Sequence, residues 1–565
     1  MSYFDDASLV MIPSGYKDQK VYSVKPIDGS GDLTFSRGSD IEATRVASNG
    51  YIEKAAVNLL LQSNSFDTGW TLTSGSSVTS GQSGYDGSSD AWLLTDSGNN
   101  SAYCLYRGYT NTGVQTFSIY AKQASTSQIE FDFLGGGAGY LRAELTDGSL
   151  HSTLNTIDYK IEDAGGGWWR CSFSANQTSA PTLVRIGCNG AGSVYIQDAQ
   201  VNYGLVAQEY QETTTTSVVS GITNDMPRLD YSGGASCPSL LLEPSRTNYI
   251  KQSSYFGSWL VGGTTPTITT NYGISPEGVQ NSTRLQLDTG DLIYESAFSL
   301  STGDYTFSVF GKAINDIYDV DTRLGLRLDI PSAKTAFFDL VNGVVISQTA
   351  DEAKIEDYGN GWWRCSITQN DCVVNNAVIN GNGFDSEIYG AQLEQGSHMT
   401  SLIPTYGTSA TRTADACSKT GISSLIGQTE GTIFVDFIYD AANTANERLT
   451  ISDGTSAKRI FMIINTSKLL SFTCTNAGAD QWNINTSLTV GQRYKIAGAY
   501  KANDITFYVN GVQIGADTSA SIPDCSNLYF ANENGTTQEW NNPMSQLLLF
   551  TSRLSNSDLA TLTSL

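Results

Sequence analysis

One stretch of this chain occurs twice. Ile161-Glu-Asp-Ala-Gly-Gly-Gly-Trp-Trp-Arg-Cys-Ser172 is answered by Ile355-Glu-Asp-Tyr-Gly-Asn-Gly-Trp-Trp-Arg-Cys-Ser366. Weaker echoes flank it in the same order. Asn58, Gln62, Ser63, Phe66 and Trp70 correspond to Asn248, Gln252, Ser253, Phe256 and Trp259. Thr116-Phe-Ser-Ile-Tyr-Ala-Lys122 corresponds to Thr306-Phe-Ser-Val-Phe-Gly-Lys312, Asp147-Gly148 to Asn342-Gly343, Ala199-Gln200 to Ala391-Gln392, and Tyr210 to Tyr406. The spacing between partners drifts by a few residues, as loop insertions in a shared fold would cause. Ordered self-similarity over so long a span means two copies of one module.

The module reads as a β-sandwich. Gln115 to Lys122 alternates, with Phe117 and Ile119 on one face. Asp-Gly and Asn-Gly suit two-residue hairpins, whose central residues take positive φ. In the Trp-Trp-Arg-Cys strand, Trp169, Cys171 and Phe173 share one face, and Trp168, Arg170 and Ser172 the other. The Cys-bearing face is assigned to the core, since free Cys behaves as a small apolar residue. From about residue 413 the motifs stop, and a different β pattern begins. Thr432 to Phe437 alternates, Ile505–Val509/Asn510-Gly511/Val512–Ile514 is a hairpin, and Ser545 to Phe550 is a late buried strand. Ser555 is placed as the N-cap of a short terminal helix. The expected fold is all-β: tandem antiparallel sandwiches divided into an N-terminal segment (1–30), a first module with lead-in strands (31–212), a connector (213–242), a second module (243–412) and a third sandwich (413–565). The first thirty residues are too few to form a core. Their apolar side chains Tyr3, Phe4, Leu9, Met11 and Ile12 are expected to attach to something else: the first module, a second copy or another protein.

With 565 residues the chain exceeds a single core. Charged residues make up only 16%, against roughly 25% in an average soluble domain, so Ser, Thr, Asn, Gln and Gly must supply the polar surface. The net charge of −24 argues against binding nucleic acid or anionic membrane. No apolar run is long enough for a membrane span, so no membrane insertion is expected. Met1 to Asp6 has neither a basic nor an apolar signal region, so folding in a cytoplasm is expected. The nine cysteines show no CxxC pair and are read as reduced and structural.

Catalytic chemistry finds little support. There are two histidines, His151 and His398, and both are read as surface residues outside any nucleophilic motif. The acids Glu430, Asp436 and Asp440 are scattered along one strand and read as solvated edges, so no enzyme is expected. The recurring Glu162-Asp163 and Glu356-Asp357 pairs precede Gly-rich turns. Turn chemistry is their first reading and a structural calcium their second, with a spacing that is not diagnostic. No cofactor and no metal site is assigned. Sugar binding needs exposed aromatic platforms beside amides. Trp482 with Asn483, and Trp540 with Asn541, sit in polar surroundings and are the expected ligand-binding residues, while Trp168 and Trp362 are expected to pack as fold determinants. Arg170 and Arg364 are expected to stack on those last two rings.

Several motifs resemble a family of phage tail-fibre, head-fibre and related virion proteins. They are Ser8 to Tyr16, Thr34-Phe-Ser-Arg-Gly38, Ala43-Thr-Arg-Val46 with Gly50-Tyr-Ile-Glu53, Pro227-Arg-Leu-Asp-Tyr231 with Pro238 to Pro244, and Gly390-Ala-Gln-Leu-Glu-Gln395. The resemblance covers most of residues 8 to 420 and implies paired modules like carbohydrate-binding jelly rolls. Tyr508-Val-Asn-Gly511 and Leu554-Ser-Asn-Ser-Asp-Leu559 resemble a concanavalin A-like (laminin G) sandwich. By that resemblance the chain is a structural and interaction protein of a bacteriophage virion (a head or tail fibre or a capsid decoration) made in the host cytoplasm and carried on the virion surface. Its implied partners are other virion proteins through residues 1–30, a host-surface glycan and further copies of itself, a trimer being favoured. The alternative is an extracellular bacterial protein that binds or degrades carbohydrate.

Overall fold

A computed structural model describes residues 3–98, 103–315, 322–381, 383–439 and 445–565; Asp440 lies outside them. The chain is all-β; among the described residues, α-helices occur at Tyr3–Asp6 and Asn556–Leu562 and single 3-10 turns at Ser232–Gly234 and Phe256–Ser258. Ser555 caps the second helix by accepting from the Asp558 amide. Among the described residues no helix is long and apolar enough to cross a membrane.

The two modules share one topology. In the first, one sheet runs Asp158–Gly165, Trp168–Gln177, Gly113–Gln123, Gly192–Tyr203, Ala91–Asp96, Ser77–Gln82. In the second, the order Glu352–Asp357, Trp363–Cys372, Gly303–Ala313, Phe384–Gln395, Thr283–Leu287, Thr267–Thr269 repeats it strand for strand. A bulge recurs too, between Ser118 and Tyr120 in one copy and between Ser308 and Phe310 in the other. It demands positive φ on the facing strand, which Asp198 supplies at 55° and Gly390 at 58°.

The repeated residues are the ones that close each sandwich. Asn58 and Asn248 are fully buried. Asn58 Oδ1 accepts from the amides of Leu60 and Val201, and Asn248 Oδ1 from those of Ile250 and Leu393, so each ties the first strand of its module to the last. Trp70 Nε1 donates to the Gln62 carbonyl at 3.0 Å, and Trp259 Nε1 to that of Gln252 at 3.1 Å. Cys171 and Phe173 lie in the first core and Cys365 and Ile367 in the second, as the alternation predicts. The turn glycines have a packing reason as well. A Cβ on Gly148 would lie 2.2 Å from the Trp169 ring, and one on Gly343 the same distance from Trp363.

The N-terminal segment is not a separate structural unit. Leu9–Met11 pairs with Met544–Phe550, setting Leu9 opposite Leu549 and Met11 opposite Leu547. Leu33–Ser36 pairs with Ala416–Lys419 in the facing sheet. The connector contributes Arg228–Asp230 and Ser239–Leu241 to the first of these sheets. The third sandwich is therefore assembled from three distant parts of the sequence. Leu9 and Met11 are fully buried in its core, so neither is free to attach to a partner. The physical reason is that a short apolar segment gains most by completing an existing core and sheet edge.

A buried charge network fixes this assembly. Arg228 Nη1 lies 2.6 Å from Glu243, Arg412 Nη1 3.0 Å from Glu243, and Arg37 Nη1 3.4 Å from Asp415, which also pairs with Arg228. The Glu243 amide donates to Asp415 at 2.9 Å. These residues come from the lead-in, the connector, the two ends of the second module and the start of the third sandwich. Burial pushes the Glu243 carboxyl up, but Arg412 and Arg228 outweigh it and hold it well below the usual carboxylate range.

Candidate functional site

The polar outer face of the Trp-Trp-Arg-Cys strand is covered in both modules, and each cover leaves a cleft. In the second module the cleft measures about 450 Å³. Its floor carries Lys354 and Glu356 from one strand and Arg364, Ser366 and Thr368 from the next, which strand alternation sets on one face. Arg45 and Ile52 of the hairpin Thr44–Val46/Ile52–Lys54 form one wall, Ile438 and Pro543 of the third sandwich another, and the loop His398–Leu402 closes an end. The second module, the lead-in hairpin and the third sandwich thus meet at this site.

Its polar groups are held in place. Arg364 is buried, donates to the Thr400 carbonyl at 2.7 Å and to Ser308 Oγ at 3.1 Å, and stacks over Phe310 at 5.1 Å. Arg45 bonds Glu53 and the Tyr16 hydroxyl. Lys354 and Glu352 pair at 3.3 Å with both side chains partly in solvent. Asp230 accepts from the Val46 amide at 2.7 Å, and burial raises its carboxyl. Burial also pushes the Tyr358 hydroxyl up to about 12. A cleft of this size lined by carboxylates, cations, hydroxyls and apolar patches suits a small polyhydroxylated ligand.

The first module has the equivalent cleft, about 360 Å³, over Lys160, Glu162, Arg170 and Ser172. It is covered by Ile274, Gly278 and Val279 of the second module. Arg170 stacks over Tyr120 at 5.5 Å and donates to the Gln208 carbonyl. The two arginines therefore stack on Tyr120 and Phe310, not on Trp168 and Trp362 as the sequence led us to expect. Both tryptophans are buried, and the cation over Trp362 is Lys312.

The expected platform is absent. Trp482 is buried against Phe472 at 5.4 Å and Trp540 against Phe437 at 4.9 Å, both within the core of the third sandwich. The amide-rich setting of Trp482 is strand alternation: Trp482 faces in, while Asn483 and Asn485 face out. Asn483 is exposed and accepts from Thr473 Oγ1 at 3.4 Å. Asn541 is half-buried, and its neighbour Asn542 donates to Glu447, a fully enclosed carboxyl that burial pushes up to about 8.

Of the expected attachment residues, Tyr3 and Ile12 are half-buried and Phe4 is 45% exposed. Phe4 lies beside Val24 and Ile27, the latter 95% exposed, in an apolar surface patch. His151 is exposed, but His398 is not a surface residue. It is half-buried at the cleft, its Nδ1 enclosed, and burial with Arg246 and Lys354 nearby lowers it to about 3. The recurring acid pairs close turns: Asp163 accepts from the Gly165 amide at 2.8 Å and Asp357 from the Gly359 amide at 2.7 Å. The sequence did carry one signal for the cleft that went unread. Lys160, Glu162 and Arg170 recur as Lys354, Glu356 and Arg364 on the face turned away from the core.

No curated protein matches the chain. Among solved structures, the CBM40 of Ruminococcus gnavus IT-sialidase bound to alpha2,3 sialyllactose is 13% identical, with 25% of this chain and 86% of that one covered and a TM-score of 0.23. A native heptameric SAP-like pentraxin from Limulus polyphemus is 16% identical over 24% of this chain and 70% of that one, at 0.19. Mouse laminin alpha1 domains LG4-5 are 9% identical over 52% and 96%, at 0.18. Likenesses this weak carry no argument about ligand or activity. Residues 431–560, within the third sandwich, match the family described as the concanavalin A-like lectin/glucanases superfamily.

Proposed function

We propose that this protein is a structural and interaction protein of a bacteriophage virion surface, displaying β-sandwiches that bind host glycan without cleaving it. The observation that carries the glycan reading is the cleft between the second module, the lead-in hairpin and the third sandwich, in which Lys354, Glu356 and Arg364 face hydroxyl and apolar groups. The concanavalin A-like lectin/glucanase match of residues 431–560 supports the same reading. The virion role rests on the sequence motifs, and the apolar patch of Phe4, Val24 and Ile27 is the surface we assign to attachment. Binding is favoured over hydrolysis because two acids on the strands of the third sandwich, Asp436 and Glu447, are engaged. Asp436 is held by Arg493 at 2.8 and 2.6 Å, and Glu447 is sealed from solvent.

A glycan array followed by calorimetry tests the binding. A hit that is lost in Lys354→Ala supports the cleft, and no binding at millimolar glycan overturns it. Release of oligosaccharide from host capsule would overturn the non-hydrolytic reading. Electron microscopy of particles carrying the labelled protein tests the virion role, and label absent from particles would sink it.

A further inference from the structure

Lys54, Glu277 and Asn281 meet where the hairpin Thr44–Val46/Ile52–Lys54 lies against a loop of the second module. The Ile52 amide donates to the Pro276 carbonyl at 2.7 Å and sets the strand beside the loop. The loop is closed on itself by the Gly278 amide to the Ser275 carbonyl at 2.9 Å and the Glu277 amide to Ser275 Oγ at 3.0 Å. Lys54 Nζ lies 2.6 Å from Glu277 Oε1 and donates to Oε2 at 2.8 Å. Asn281 Nδ2 donates to the same Oε2 at 3.1 Å. The amine and the amide are thus neighbours across one carboxylate oxygen. Asn281 is 3% exposed, and its enclosed Oδ1 has no hydrogen-bond partner among the described residues. The Lys54 and Glu277 side chains are 16% and 6% exposed. The Tyr406 ring centre lies 5.9 Å from Nζ, and Tyr389 is buried beside them in the same module.

We propose that Lys54 and Asn281 join in an intramolecular isopeptide bond once the chain has folded, with Glu277 moving the protons. At rest the pair is ionic: burial pulls the Lys54 ammonium down, but Glu277 outweighs it and holds it well above its ordinary value. Transfer of one Nζ proton to Glu277 gives a neutral amine and a carboxylic acid. The acid can then donate to Asn281 Oδ1, which polarises the amide carbonyl. Nζ attacks Cγ, the Nζ–Cγ bond forms and the Cγ–Nδ2 bond breaks. Nδ2 leaves as ammonium, taking up the second Nζ proton and the proton returned by Glu277. Every atom is accounted for, and no oxidant or co-reactant is needed. Enclosure and fixed geometry supply the rate, since a positioned amine and amide react as one molecule. The bond would tie the hairpin Thr44–Val46/Ile52–Lys54 covalently to the second module.

Intact mass and peptide mapping of the full purified chain test this. The expected chain is lighter than its sequence by one ammonia, and a tryptic fragment carries the Lys54 peptide branched onto the Asn281 peptide. Glu277→Gln and Lys54→Arg should both give the full sequence mass. Lys54→Arg keeps a cation against Glu277, so circular dichroism should show it folded. The proposal is overturned if the wild-type peptides are linear, if ammonia is lost without a branched fragment (as when Asn281 cyclises on its own backbone), or if the mass loss persists in Lys54→Arg.

Discussion

Arg228 meets Glu243 at 2.6 Å with the guanidinium entirely out of solvent. The pair links the connector to the start of the second module, and Arg412 and Asp415 extend it to that module's end and into the third sandwich. Taking one partner from a buried pair strands the other without solvent or counter-charge, which costs about 3–5 kcal/mol. Glu243→Ala should therefore lower the unfolding free energy by that amount, read as a lower denaturation midpoint. A midpoint equal to wild type would remove the network from any account of how the sandwiches are held. The depressed Glu243 carboxyl also sets a sign. Its contribution is full above the unfolded carboxylate value of about 4.3 and is lost only as pH falls further toward its folded value, so in Glu243→Gln that acid loss should shrink.

Trp482 and Trp540 are core residues, so truncation should be read in stability. Trp482→Ala and Trp540→Ala should each cost about 3–5 kcal/mol in chemical denaturation. Trp482→Phe keeps most of the buried volume and should leave glycan binding unchanged. A selective loss of binding in a stable Trp482→Phe protein would return the residue to the ligand surface.

His398 should stay neutral through the physiological range. Below about pH 6.5 the unfolded chain takes up a proton there, which the folded chain refuses until about pH 3. Its contribution to stability is therefore present above 6.5 and lost as pH falls through that window. The drop in midpoint between pH 8 and pH 5 should be smaller in His398→Gln than in wild type. An NMR signal assigned to the His398 imidazole and titrating near 6.5 would contradict the enclosure.

Cys237 is the exposed cysteine, and the other eight are buried. Burial pushes the Cys171 thiol up to about 12, which suppresses the reactive thiolate. Native protein should give one thiol per chain with a disulfide reagent, and the denatured protein all nine. Fast native reaction of several thiols would mean that the modules open.

The sequence by itself determined the modules. Repetition marked two copies, and alternation placed Cys171, Phe173, Cys365 and Ile367 in their cores, because a strand's period of two is a local property of its backbone. The third sandwich's hairpin and terminal helix were legible for the same reason. Only the tertiary structure decided what each face meets. Alternation shows that Trp482 and Asn483 point to opposite sides of a strand but not which side is closed, so an inward ring among outward amides looked like a binding platform. Nor could any local pattern show that Leu9 would pair with Leu549, that Arg37 would reach Asp415, or that Lys354, Arg45 and Ile438 would line one cleft. Those contacts form between segments far apart in the sequence, and the free energy of burying apolar surface and pairing enclosed charges selects them only once the modules exist to be joined.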